Sequence, residues 1–268
     1  MKFKGVRIAK FEEGVLNEDA VRADYNVIAV SDGAGGGGVF AERWSGYLVY
    51  NLPSIPITTF AELDSWIDGI WENFYNDCEA WATKQHDGLF LQKFYDEGSF
   101  ATVAALWPGE DEMRWMTYGD SVVFHYNYRT HMLEHSFSEL KDFNNPPYLI
   151  NCKDPLQPEG FKSGSFKGDD DSVYFVTSDT LAHYILMMYL VTDIEQYESQ
   201  LNAAIEAHSK NSMIIKTALL LNKIDFPQVI KKLLNCANNS SNFKRHIESI
   251  KRKGLIGHDD YSLAVMYR

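Results

Sequence analysis

Two kinds of hydrophobic pattern alternate along the chain. From Phe60 to Trp81, the apolar residues Phe60, Leu63, Ile67, Ile70, Trp71, Phe74, Cys78 and Trp81 recur at steps of three and four, while Glu62, Asp64, Asp68, Glu72 and Asp77 occupy the other faces. That spacing predicts an amphipathic helix whose aromatic residues pack on a core rather than around a ligand. Elsewhere the apolar residues run together. Segments 99–107, 113–119, 122–128 and 172–178, together with DYSLAVMY near the end, are rich in Val, Tyr, Phe and Thr and are bounded by Gly, Asp and Pro, so they read as strands. Long helical stretches follow residue 181. Strands that arrive in succession, without a helix between them, predict hairpins and a mostly antiparallel sheet.

Composition narrows this picture. A chain of 268 residues that is 45% apolar can bury a large core, and no Pro/Gly/Ser-rich stretch divides it, so a single domain over 1–268 is expected. The opening residues MKFKGVRIAK carry charges every few positions, and the most apolar segment, LAHYILMMYLV, is too short to span a bilayer. Cys78, Cys152 and Cys236 are far apart and form no CxxC, which argues against a disulfide framework or a zinc finger. A cytoplasmic location fits both observations. The net charge of −12 disfavours nucleic acid and anionic membrane as partners. The one basic cluster, KRHIESIKRKG, places its charges around Ile247 and Ile250 as the outer face of a helix would.

Candidate chemistry begins at NVIAVSDGAGGGG, where a strand-length apolar run meets Asp32 and then a series of glycines. Gly33, Gly35 and Gly38 satisfy the GxGxxG spacing of a dinucleotide site. The interval that should hold a second strand ending in an acidic group instead holds AERWSGYLVYN and a proline-containing loop, and Asp32 would repel a pyrophosphate. An Asp-Gly turn would explain Asp32 if it stood alone. The same arrangement recurs, however, with Asp120 after RWMTYG, Asp179 after DSVYFVTS, and Asp259 with Asp260 before YSLAVMY. Carboxylates gathered at one sheet edge would repel one another and lose hydration unless a cation compensated. All-oxygen donors suit Mg²⁺ or Mn²⁺ better than zinc, and two such ions about 4 Å apart could serve phosphoryl chemistry.

The ordered set NEDA (17–20), VSDGAGG (30–36), GSFAT (98–102), YGDSVVF (118–124), VTSD (176–179) and HDDYSLAVM (258–266) resembles the metal-dependent PP2C-type (PPM) serine/threonine protein phosphatases over nearly the whole chain. The resemblance implies an α+β fold, a four-layer αββα sandwich of two antiparallel β-sheets packed face to face with helices outside. It also implies roles for individual residues. Asp32 would bridge two metal ions, the Gly33 carbonyl would ligate one of them, and Asp179 and Asp259 would complete the second ion's carboxylates. Glu18 and Asp19 would hold metal-bound waters, and Asp120 would help hold a third, weaker ion. Asp260 stands where the family often has Asn and would be structural.

The chain departs from the family pattern in three places. Gly14 replaces the arginine that grips the substrate phosphate, leaving Arg7 and Lys10 as unaligned substitutes. Thr180 replaces a glycine after the aspartate of VTSD. Gly37 and Gly38 stand where a histidine is common, and His258 is the remaining candidate proton donor to the leaving alkoxide. The activity implied is hydrolysis of phosphoserine or phosphothreonine in proteins by direct attack of a metal-bridging hydroxide, with Mn²⁺ or Mg²⁺ as cofactor. The alternative is a pseudophosphatase that binds a phosphoprotein or partner without turnover.

Overall fold

The computed structural model describes residues 1–36, 38–85, 88–110, 112–221 and 223–267. Strands β1 (Lys2–Ile8), β2 (Ala20–Ala23) and β3 (Ile28–Ser31) precede helices α1 (Ala41–Asn51), α2 (Phe60–Lys84) and α3 (Gly88–Glu97). Next come β4 (Phe100–Ala101), β5 (Val103–Trp107), β6 (Met113–Tyr118), β7 (Val122–Asn127), β8 (Leu133–His135), β9 (Ile150–Asn151), β10 (Phe161–Phe166) and β11 (Ser172–Thr177). Helices α4 (Asp179–Leu190), α5 (Ile194–Glu206), α6 (Lys210–Leu219), α7 (Phe226–Cys236) and α8 (Ser240–Arg252) then lead into β12 (Tyr261–Tyr267).

Two five-stranded sheets result, ordered β1-β12-β11-β7-β8 and β10-β6-β5-β3-β2, and every pairing within them is antiparallel. Alternation along each strand explains the continuous apolar runs. In β5, Ala104 and Leu106 face the layer between the sheets, whereas Val103, Ala105 and Trp107 face the helices α1 to α3. In β12, Ala264 and Met266 point inward between the sheets, while Leu263 and Val265 meet the helices that follow β11. Three apolar layers therefore lie between four layers of structure, which is the αββα sandwich. The antiparallel pairing also removes the dinucleotide alternative, which requires a parallel βαβ unit.

The expected helix from Phe60 to Trp81 runs on to Lys84 and starts at a capping box formed by Thr59 and Glu62. The expected strand 99–107 is broken. Phe100–Ala101 pairs with Ile150–Asn151 in a separate small sheet, and the Thr102 N–H leaves the ladder to reach the Asp32 carbonyl at 2.8 Å. Helix α4 is buried nearly all round because the sheet covers one side and the helices after it cover the other, so its membrane-like composition is that of a core helix. Among the described residues no helix is long and apolar enough to cross a membrane.

Candidate active site

The aspartates come together because strand ends meet at one edge of the two sheets. Asp32 follows β3 and is clamped by Thr102. The Thr102 N–H donates to the Asp32 carbonyl at 2.8 Å, the Asp32 N–H donates to Thr102 Oγ1 at 3.3 Å, and Ser31 Oγ donates to the Thr102 carbonyl at 2.5 Å. Thr102 Oγ1 in turn lies 2.7 Å from Ser121 Oγ, so the GSFAT and YGDSVVF segments hold the end of β3 in place. Gly33 bridges to Ala101, and a Cβ on it would stand 2.5 Å from the Glu18 carbonyl and 2.7 Å from that of Ala41. Glycine is required there by close backbone approach.

The other carboxylates arrive from separate elements. Asp120 follows Gly119 (φ +98°) in the turn from β6 to β7, where Gly119 donates to the Gly160 carbonyl at 3.3 Å. Tyr118 Oη accepts the Gln157 N–H at 2.9 Å, so the segment before β10 is fixed against this turn. Asp179 opens α4 and accepts the Thr180 N–H, and Asp259 accepts the Asp260 N–H at 2.9 Å just before β12. Thr180 lies in helical backbone, so no glycine conformation is needed at that position. Asp19, whose N–H donates to Asn17 Oδ1 at 2.9 Å, precedes β2.

These groups perturb one another. Burial first, then the charges of Asp19, Asp179, Asp120 and Asp259, hold Asp32 well above the usual carboxylate range. Asp120 is raised well above its ordinary value by burial and then by Asp179. Burial, followed by the charge of Asp259, pushes Asp179 up to about 6, with hydrogen bonding from Thr180 and Asp32 opposing the rise. Burial raises Asp19 to about 7, with the Ser262 and Ser178 hydroxyls alongside opposing the rise. Asp19 is 0% exposed, and although these hydroxyls lie close, neither carboxylate oxygen makes a hydrogen bond of normal geometry. Such a group is stable as an anion only with a cation or ordered water.

Among the described residues, no group of three or more His, Cys, Asp or Glu side chains already has the arrangement of a metal site. The carboxylates of Asp179 and Asp259 instead accept local backbone N–H groups. The donor set nevertheless fits hard divalent ions. It consists of oxygen atoms from separate strand ends, a fully buried carboxylate without a partner, and a glycine carbonyl segment with no room for a side chain.

The remaining expected residues are placed differently. The Glu18 carboxylate lies where a Cβ of Gly35 would be, and burial raises its pKa while Lys10 opposes the rise. That position also fills the space a pyrophosphate would need. One arm of the Arg7 guanidinium donates to the Asp19 carbonyl, and Lys10 is tied through its backbone to Asp260. His258 does not face the aspartates with a free nitrogen. Its Nε2 meets Glu12 Oε1 at 2.9 Å and its Nδ1 meets Lys251 Nζ at 2.5 Å, so both ring nitrogens are engaged at the surface. Gly14 (φ +76°) has nothing within 4 Å of a built Cβ, and Gly37 lies outside the described residues. The clamp made by Thr102 and Ser121 had a sequence signal in GSFAT and YGDSVVF. The His258 contacts had none.

No protein-family model matches the chain, and no curated protein matches it by sequence. Solved structures do match its fold. A bacterial serine phosphatase is 14% identical, with 99% of this chain and 96% of that one covered at a TM-score of 0.51. The catalytic domain of the serine/threonine protein phosphatase PstP, in complex with two manganese ions, is 16% identical, with 98% and 96% covered at 0.51. A serine/threonine phosphatase of S. agalactiae is 16% identical, with 99% and 98% covered at 0.52. At these identities the likeness establishes the fold, which is that of the PP2C-type serine/threonine phosphatases.

Proposed function

We propose that the protein is a metal-dependent phosphomonoester hydrolase acting on phosphoserine or phosphothreonine in proteins. The observation that carries this reading is the meeting of Asp19, Asp32, Asp120, Asp179 and Asp259 at one sheet edge, where burial and neighbouring charge raise the pKa values of Asp19, Asp32, Asp120 and Asp179 and the Asp19 carboxylate is buried without a hydrogen bond. Asp32 and the Gly33 carbonyl would hold two Mn²⁺ or Mg²⁺ ions with Asp179 and Asp259, Asp120 would face a third, and Glu18 and Asp19 would orient bound water. Ions so held supply a water of lowered pKa and neutralise the charge of a transferring phosphoryl group.

The chain's own residues do the remainder. Thr102 and Ser121 hold the end of β3 that carries Asp32, and Arg7 and Lys10 would be the candidate cations for a phosphate oxygen. Two manganese ions in the structurally similar PstP domain support the choice of metal. Activity on p-nitrophenyl phosphate and a phosphothreonine peptide, measured with Mn²⁺ and with EDTA, tests the reading, and Asp32→Ala and Asp179→Ala should abolish turnover. Full activity in excess EDTA overturns it. Metal binding without turnover would assign the pseudophosphatase role, which the engaged nitrogens of His258 and the glycine at position 14 would then explain.

A further inference from the structure

The basic cluster that the sequence reads as an ordinary helix face contacts the residue that precedes Asp259. Helix α8 buries Phe243, Ile247 and Ile250 and leaves Lys244, Arg252 and Lys253 exposed, with Lys251 half-buried. The Nζ atoms of Lys251 and Lys244 lie 4.9 Å and 5.8 Å from the centre of the Phe11 ring, so the two amines share one aromatic floor. Lys251 also meets His258 at 2.5 Å, and His258 adjoins Asp259 in sequence. His258 thus ties this surface to the segment that carries the candidate ligand Asp259.

The helix dipole does not account for all of these charges. It favours cations in the last turn, where Lys251 and Arg252 stand, but not at Lys244 and Arg245 in the first half. Among the described residues, Lys244, Lys251, Arg252 and Lys253 form no ion pair with a carboxylate. The acidic groups facing them are Glu248, which shares the recess lined by Phe11, Lys251 and Arg252, and Glu12, which is engaged by His258. On a chain of net charge −12, this concentration of cations without carboxylate partners, near the segment carrying Asp259, is suited to an anion.

We infer that the α8 surface docks acidic side chains flanking the phosphorylated residue of a protein substrate, an inference that rests on the phosphatase reading above. The patch is small, confined to α8 and its C-terminal end, which suits a short acidic segment rather than a long polyanion. A peptide can place its carboxylates on Lys244, Lys251 and Arg252 while its phosphate reaches the aspartate cluster.

The test compares two phosphothreonine peptides, one flanked by Asp and Glu and one by Ser and Ala, with p-nitrophenyl phosphate reporting the reacting site. The acidic peptide should show kcat/KM roughly tenfold higher, carried by KM and lost at about 0.5 M salt. Lys244→Glu combined with Arg252→Glu should bring the ratio between the two peptides to one or below. Should that variant fold poorly, Lys244→Gln alone and the salt dependence of the native chain read the same ratio. Equal kcat/KM for both peptides, with p-nitrophenyl phosphate hydrolysed, overturns the docking surface and leaves the phosphatase reading standing. Failure to hydrolyse any of the three with Mn²⁺ overturns the phosphatase reading. Fluorescence anisotropy of the two labelled peptides then decides the docking surface by itself, equal affinities overturning it. Binding to phosphatidylserine vesicles that the double variant loses would also overturn it in favour of a membrane contact.

Discussion

Asp260 accepts the backbone N–H of Glu18 on Oδ2 at 2.6 Å and that of Lys10 on Oδ1 at 2.7 Å, joining residues 242 and 250 positions apart. The carboxylate is 4% exposed and follows Asp259 directly, so it docks the loop carrying Glu18 and Asp19 onto the turn carrying a candidate metal ligand. Both oxygens accept, and an amide cannot do the same. Asp260→Asn should turn an NH₂ toward one of the two N–H groups and cost about 1.5–3 kcal/mol, with Mn²⁺ bound more weakly. Thermal melts with Mn²⁺ and with EDTA check this, and a variant that melts with the native chain in both contradicts the clamp.

Asp32→Ala should give a crossover in stability. Without metal, the variant should melt higher than the native chain, because one member of a repelling set is gone. With Mn²⁺ it should gain little, whereas the native chain gains about 2.7 kcal/mol at 100 times Kd, equivalent to roughly 5–10 °C. Identical melting of the native chain in Mn²⁺ and in EDTA would remove the metal site, and the phosphatase reading with it.

Stability in EDTA should fall as pH rises. Asp19 is raised to about 7 and Asp179 to about 6, both from 3.8, so the folded chain binds more protons than the unfolded chain between about pH 4 and 7. The stabilisation that this protonation provides is fully present below the unfolded value and is lost as pH passes through the folded ones. The melting temperature in EDTA should therefore be higher at pH 5 than at pH 7.5. Mn²⁺ should reverse the order, since its ligands must be deprotonated. A flat profile in EDTA would show that the carboxylates do not interact in this way.

Two glycine substitutions should have opposite signs. Gly119 has φ +98°, and a Cβ there would stand 2.7 Å from both Thr102 Cγ2 and the Tyr148 carbonyl, next to Asp120. Gly119→Ala should destabilise by more than about 1 kcal/mol and reduce turnover by displacing the turn. Gly69 lies within α2 with nothing within 4 Å of a built Cβ, so Gly69→Ala should stabilise by about 0.5–1 kcal/mol. Chemical denaturation of both variants checks the pair.

The sequence by itself determined helix α2, the central strands and the position of Asp32, Asp120, Asp179 and Asp259 at strand ends. Those signals are local. The three- and four-residue spacing of α2 needs only its own residues, and the buried runs of β5, β7, β11 and β12 record strands covered on both faces. Tertiary structure alone decided which strand ends meet. The chain's two ends pair, β1 with β12, and that pairing puts Asp260 under the 10–18 loop and carries Asp19 to the aspartates that follow β3, β6 and β11. It also turned His258 to Glu12 and Lys251, and it broke the expected 99–107 strand at Thr102 to hold Asp32. The physical reason is separation. Alternation along a strand says which face is buried, but hydrogen bonds spanning some 250 residues depend on the register of whole sheets, which no local pattern of side chains records.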